Sequence, residues 1–254
     1  MTLWTPTHVQ TLLPALIVML GISVVLRLIL GKKSRKIRMI PFRLLACVLV
    51  VLEIGKQVLS LYRGYDLYHL PFHFCSILIF MPAIMAFYRG KHEKTVTCIT
   101  VAVLAAVFIL TAAYPDLIYS AQAVKEFTVD YFSFHTVAFH NVAMLLFMLV
   151  PALDLYEPEP AGETKKVLQF ILAFCAVSAT MAHLLQTNFN NFYTCNVPPL
   201  EALRCSVEAA LGSTAAAILY VLVVTVANLC FVTGSYWFYR LIRKLLTKGN
   251  KVSA

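Results

Sequence analysis

Polar side chains capable of acid–base or nucleophilic chemistry lie within or beside apolar stretches of the sequence. They are Glu53, Lys56, His73, Cys75, His140 and His183. A histidine can act as a general base, and a cysteine becomes a nucleophile once a base takes its proton. The residue types therefore predict a buried catalytic site. They also fit a pathway for protons or a polar solute, or polar contacts that only hold helices together.

Spacing restricts how these residues combine. Glu53 and Lys56 are three apart, so they share one helix face and can neutralise each other. His73 and Cys75 are two apart, which is ~200° around a helix, so they form a dyad only if the backbone near Pro71 is irregular. We expect His135, near a helix end, to be structural. The sequence has no HExxH motif, and its spacings predict no metal and no cofactor.

Composition defines the class of protein. The chain has 254 residues, of which 60% are hydrophobic and 13% charged, whereas charged residues make up about 25% of soluble domains. The mean hydropathy is +0.79. We therefore expect an integral membrane protein that contacts membrane lipids. The net charge of +9 lies at segment ends, so it predicts cytoplasmic loops and no nucleic-acid partner.

Apolar runs of about 20 residues, the length that spans a bilayer, predict an all-α polytopic fold. We expect one domain over 1–254 with seven transmembrane helices, at about 9–30, 40–61, 69–88, 95–113, 131–153, 167–186 and 209–242. The loops alternate between Lys/Arg-rich and Lys/Arg-poor. The positive-inside rule then puts the N-terminus outside and the C-terminus in the cytoplasm.

This topology gathers the polar residues at one depth. At ~1.5 Å per residue, Glu53 and His140 lie ~12–13 Å below the outer surface, and His73, Cys75 and His183 lie ~5–9 Å below it. Four helices thus contribute to one layer in the outer half of the bilayer. A shared depth favours a common site over unrelated structural contacts.

Two of the seven cysteines stand apart from the others. Cys195 and Cys205 share the long loop between the sixth and seventh predicted helices. They can form a disulfide if that loop faces an oxidising compartment. The sequence alone leaves this pairing open.

Four motifs carry a family resemblance. "EIGKQ", "HLPFHFC", "FHNVAMLLFMLVPALDLYEPEP" and "NFNNFYTCNVPP" occur in this order between about Glu53 and Pro199. They resemble the YwaF-like integral membrane proteins of bacteria and their animal relatives, the transmembrane protein 164 family. The resemblance implies a bacterial cell membrane location and a lipid acyltransferase or lipid ester hydrolase activity.

The resemblance also implies roles for individual residues. Glu53, His73, His140 and His183 match family positions, as do Asn188 and Asn191 in the outer loop, which we expect to bind ligand together with Lys56. In the animal proteins a cysteine directly precedes the histidine of the third helix, and here that position is Phe72. Cys75 fits the bacterial pattern LPxHxC and is the candidate nucleophile.

Overall fold

The chain folds into α-helices joined by turns and by two longer irregular segments. In this computed structural model, residues 4–159, 162–196 and 198–252 are described. The helices are α1 (Pro6–Leu30), α2 (Arg35–Tyr62), α3 (Ile77–Phe87), α4 (Glu93–Ala113), α5 (Ala121–Glu126), α6 (Tyr131–Ala152), α7 (Glu163–Leu184), α8 (Pro198–Leu211) and α9 (Ser213–Val252). The described residues form no strand.

Six of the described helices are long and apolar enough to cross a membrane, namely α1, α2, α4, α6, α7 and α9. A shorter apolar segment runs from Phe74 to Phe87. Large apolar side chains stay exposed on the outer faces of these helices, as expected where the surroundings are lipid. The chain is therefore an integral membrane protein. Five of the predicted spans match observed helices closely, and two differ.

The third predicted span, 69–88, is wrong in its first half. Residues Leu67–His69 and Phe74–Ser76 form 3-10 turns around Pro71, and α3 begins only at Ile77. Side chains satisfy the backbone carbonyl groups that a helix would have paired. His73 donates to the Tyr68 oxygen at 2.9 Å, and two more such contacts come from Gln57 to His69 and from Ser178 to Phe72. Irregular backbone is stable at membrane depth where protein satisfies it in this way.

The last predicted span, 209–242, begins too early. Gly212 adopts φ +81, a left-handed conformation that favours glycine. This residue separates α8 from α9, so positions 209–211 end α8 and the membrane helix begins at Ser213. At ~1.5 Å per residue, α9 is ~60 Å long and extends beyond a bilayer.

Helix α4 lies at the centre of the bundle. In the 18-residue apolar stretch of α4, 67% of the residues are buried, whereas in that of α1 only 17% are buried. It packs against α3, α6, α7 and α9, while α2 packs against α3 and α6. The central position of α4 explains why most of its buried side chains, such as Val103 and Ala106, are apolar.

Gly55 sets the distance between α2 and α6. A Cβ at this position would lie 2.1 Å from the Tyr131 hydroxyl oxygen, and that hydroxyl donates a hydrogen bond to the Leu52 carbonyl at 3.0 Å. Any Cβ at this position would force the Tyr131 ring to shift. The close packing brings the first turns of α6 against Glu53 and Lys56.

An arginine cluster joins helix ends at the opposite end of the bundle. Asp154, at φ 48 just after α6, accepts hydrogen bonds from Arg27 of α1, Arg38 of α2 and Arg243 of α9. Arg243 also pairs with Glu157. These ion pairs connect α1, α2 and α9 to the turn after α6. The polar groups at the other end of the bundle are separate from this cluster.

Candidate functional site

A polar cavity of about 370 Å³ lies at the end of the bundle away from the arginine cluster. Its walls are the last turns of α2 and α4, the first turns of α6, the irregular segment 67–76, and a turn after α7 that we call the Asn loop (residues 185–196). Seven of the residues discussed above for chemistry or ligand binding line it: Glu53, Lys56, His73, Cys75, His140, Asn188 and Asn191.

Glu53 is the centre of a charged cluster on the cavity wall. Its side chain is buried, and its Oε1 lies 2.7 Å from the Lys56 Nζ and accepts a hydrogen bond from Gln57 at 2.7 Å. Its Oε2 lies 3.2 Å from Nε2 of His135. That nitrogen is buried and not aligned for a hydrogen bond. The cluster places a carboxylate between an ammonium and an imidazole.

His140 has a defined tautomer. Its Nδ1 lies 2.7 Å from the Thr136 carbonyl oxygen. Because a carbonyl oxygen only accepts, Nδ1 carries the proton in the neutral ring, and Nε2 is left with its lone pair. Among the described residues, no side chain or backbone group donates to that Nε2. The ring is buried on the cavity wall, so His140 has the arrangement of a general base.

His73 and His69 are held by their neighbours at the mouth of the cavity. His73 donates to the Tyr68 carbonyl and packs against the Tyr68 ring, with centroids 4.3 Å apart. His69 Nδ1 lies 2.6 Å from the Ser60 hydroxyl oxygen, and its ring stacks on Phe132. Both rings are fixed in place, and the unprotonated Nδ1 of His73 can accept a proton.

Cys75 lies in the second 3-10 turn and is half-buried on the cavity wall. The irregular backbone around Pro71 meets the condition for a dyad with His73. The dyad itself does not form, because the described residues include no hydrogen bond between the Cys75 sulfur and a histidine. Cys75 therefore faces the cavity as a thiol without an attached base.

The Asn loop is built by two of its asparagines and presents a third. Asn188 Oδ1 accepts from the backbone amides of Tyr193 and Thr194, and its amide group donates to Asn196. Asn191 Oδ1 accepts from the Asn196 amide, and its carbonyl accepts from the Tyr220 hydroxyl. These contacts hold the loop together, and both predicted residues also line the cavity.

Asn190 is the asparagine with an unmet hydrogen bond. Its Nδ2 is buried and has no partner, and the residue lines the cavity. Its backbone is left-handed, at φ 52, and that of Asn191 is also left-handed, at φ 59. An unpaired buried donor is costly and asks for an explanation. A ligand oxygen in the cavity would satisfy it.

His183 does not join this site. It is exposed on α7, makes an edge contact with the Tyr193 ring at 5.6 Å, and lines a separate groove between α7 and α9. The Asn loop follows α7 and contributes to the wall of the polar cavity in its place.

Sequence reasoning missed Asn190 and Gln57, and it treated His135 as structural. Gln57 had a signal, since it lies four residues after Glu53 on the same helix face. No signal in the sequence indicated a role for His135, because its contact with Glu53 depends on how α2 and α6 pack. Asn190 lies in an irregular turn, where no periodicity indicates direction.

Fold and site define a polytopic helical membrane protein with a polar cavity near one end of its bundle. The sequence model of the TMEM164 family matches residues 3–236, so the chain belongs to the TMEM164 family. No curated protein and no solved structure gave a match.

Proposed function

We propose that the protein cleaves or transfers the acyl ester of a membrane lipid in the polar cavity. The observation that carries this proposal is the pairing of two groups on one cavity, the lone-pair nitrogen of His140 and the unpartnered amide of Asn190. Acyl transfer needs a base for the nucleophile and a donor for the oxyanion. Membership of the TMEM164 family and the resemblance to lipid acyltransferases agree with it.

In the proposed reaction Cys75 attacks the ester carbonyl. His140 Nε2 takes the thiol proton as the new S–C bond forms, and the tetrahedral oxyanion accepts a hydrogen bond from Asn190. The C–O bond to the lipid then breaks, and His140 returns the proton to the departing hydroxyl. An acceptor hydroxyl, or water, resolves the thioester by the same route. On the same wall, the Glu53 carboxylate compensates the charge of Lys56 and contacts His135.

The topology that serves this function has the cavity facing the outer leaflet. We propose that segment 69–88 forms a seventh crossing, with an irregular outer half and α3 as its inner half. The N-terminus is then outside and the C-terminus in the cytoplasm, because the loops at the arginine-cluster end hold most of the Lys and Arg. The resemblance to YwaF-like proteins supports a bacterial cell membrane.

A proton or solute transporter is the second candidate, and the charged cluster of Glu53, Lys56 and His135 is the observation in its favour. Below His140, however, the buried side chains of α6 are apolar, as at Met144 and Phe147. A polar lining confined to one half of the bundle fits a site better than a pathway. Proton-coupled uptake in proteoliposomes that Glu53→Gln abolishes would favour transport.

The experiment is acyl exchange in nanodiscs. The purified chain is incubated with a phospholipid carrying an isotopically labelled acyl chain and with a lysophospholipid acceptor, and labelled products and free fatty acid are followed by mass spectrometry. We expect turnover by the wild type and by Cys47→Ala, whose cysteine is exposed on α2, and none by Cys75→Ala. Absence of wild-type turnover would refute the acyl-ester proposal. Full turnover by Cys75→Ala would replace the thioester with direct attack by the acceptor.

A further inference from the structure

Two cysteines lie outside the apolar helices. Cys195 is in the Asn loop and Cys205 is on α8, and neither element is among the candidate membrane spans. Of the other five cysteines, four belong to the apolar helices α2, α4, α7 and α9, and Cys75 belongs to the apolar segment Phe74–Phe87. Cys205 is exposed and Cys195 is half-buried, and both carry free thiols in the structure.

One carboxylate contacts both of these residues. The Oε2 of Glu201 accepts a hydrogen bond from the Cys195 backbone amide at 2.8 Å. The sulfur of Cys205 lies 3.8 Å from Oε1 of the same side chain. Glu201 and Cys205 are four residues apart on α8, so they share one helix face. That face looks towards Cys195, so the Cys195 backbone amide and the Cys205 sulfur contact the same side chain.

The surrounding contacts hold the two elements in this arrangement. Arg204 bonds to Glu201 and Glu208, and its guanidinium lies 5.9 Å from the centroid of the Tyr220 ring. The Tyr220 hydroxyl in turn donates to the Asn191 carbonyl. The Asn loop, α8 and the first turns of α9 are therefore already in contact before any covalent link forms.

We propose that Cys195 and Cys205 form a disulfide that ties the Asn loop to α8. The proposal rests on the proposed outward orientation of this loop and not on the acyl chemistry. Each thiol gives up a proton as the Sγ–Sγ bond forms. The pair passes two electrons to a thiol–disulfide oxidant of the outer compartment, whose own disulfide is reduced to a dithiol.

The link would regulate the cavity through the loop. Asn196, which follows Cys195 directly, contacts Asn188 and Asn191 and lines the cavity. A disulfide restricts the chain between its ends, which favours the ordered loop. In the oxidised protein the Asn190 amide is held at the cavity wall. Reduction leaves that position to the hydrogen bonds of the loop alone.

The test is peptide mapping of the full chain from native membranes. Free thiols are blocked by alkylation during lysis, and cleavage after Glu201 and Glu208 then releases Cys205 on the peptide Ala202–Glu208. Without reductant we expect this peptide to be joined to a fragment containing Cys195, and after reduction to be free. Alkylated Cys195 and Cys205 in the unreduced sample would overturn the proposal.

A thermal measurement and a sidedness measurement complete the test. Reductant should lower the unfolding midpoint of the wild type and of Cys230→Ser, and leave that of Cys195→Ser unchanged. An equal effect of reductant on all three proteins would count against the link.

In sealed vesicles, a membrane-impermeant maleimide identifies the side of Cys205 after reduction. A cytoplasmic position together with free thiols would show that the orientation had failed, and the disulfide with it.

Discussion

The contact between His140 and Thr136 sets the tautomer of a buried histidine on the cavity wall. The Nδ1 of His140 lies 2.7 Å from the Thr136 carbonyl oxygen, one turn earlier on α6. The contact fixes the proton on Nδ1 and leaves Nε2 as an acceptor at the cavity wall. It also fixes the plane of the ring, since the helix backbone is rigid.

The first prediction concerns this base. His140→Ala should lower kcat for acyl transfer on the order of 10²–10⁴-fold, the usual contribution of a general base. His183→Ala is the matched control, because His183 is exposed and lines a different groove. Labelled-lipid turnover in nanodiscs measures both. If the two variants lose the same activity, His140 has no role as the base.

Asn190 separates function from stability. Asn190→Leu removes a buried donor that has no partner, so we expect an unfolding midpoint equal to or above that of the wild type. Losing an oxyanion donor should lower kcat on the order of 10²–10³-fold with little change in KM. Differential scanning fluorimetry and steady-state kinetics test the two halves. Asn228→Leu, on α9, is the control, since that amide donates only to its own helix. Unchanged kcat in Asn190→Leu would remove the oxyanion role.

The Glu53–Lys56 pair should behave as one unit. Glu53→Ala leaves the Lys56 ammonium without the carboxylate at 2.7 Å, and we expect a loss of roughly 3 kcal/mol in the free energy of unfolding. Glu53→Leu combined with Lys56→Met should recover most of that loss, because no unpaired charge remains. Denaturant unfolding in detergent gives both values. Additive losses in the double variant would mean that the pair is not coupled.

A side chain at position 55 should lower the free energy of unfolding. The Cβ of Gly55→Ala would meet the Tyr131 hydroxyl at 2.1 Å, so we expect a destabilisation of about 1–3 kcal/mol from overpacking. Gly21→Ala is the control, because nothing lies within 4 Å of that position. Tyr131→Phe added to Gly55→Ala should restore part of the stability, as the oxygen is removed. No rescue in a double-mutant cycle would place the strain elsewhere.

Helix α8 should respond to acid. The hydrogen bond from Arg204 lowers the pKa of Glu201 to about 2, from 4.5. Because the folded pKa is depressed, the contribution of Glu201 to stability is present above pH ~4.5 and is lost as the pH falls towards 2. The measurement is hydrogen exchange at the Cys195 amide, in the reduced wild type and in reduced Glu201→Gln. At pH 6 this amide should be better protected in the wild type than in the variant, and the difference in protection should shrink below pH 4. A difference independent of pH would contradict this assignment.

The sequence determined the class of protein and most of its helices. Long apolar runs can satisfy their backbone in lipid only as helices, so α1, α2, α4, α6 and α7 lie close to their predicted positions. Depth along each helix follows from the same rule, and it correctly grouped Glu53, His73 and His140. The i, i+3 spacing also indicated that Glu53 and Lys56 share a face.

Only the tertiary structure decided what those residues contact. The segment 67–76 is irregular because side chains from α2 and α7 satisfy its carbonyl groups, and helical periodicity carries no information about such long-range partners. His183 lies in the last turn of α7 but faces a different groove, since position along a helix does not fix rotation about its axis. The direction of the Asn190 amide depends on left-handed backbone in a turn that distant contacts hold. The position of a residue along its helix determines its depth relative to other residues, whereas the packing of the helices determines which side chains contact each other.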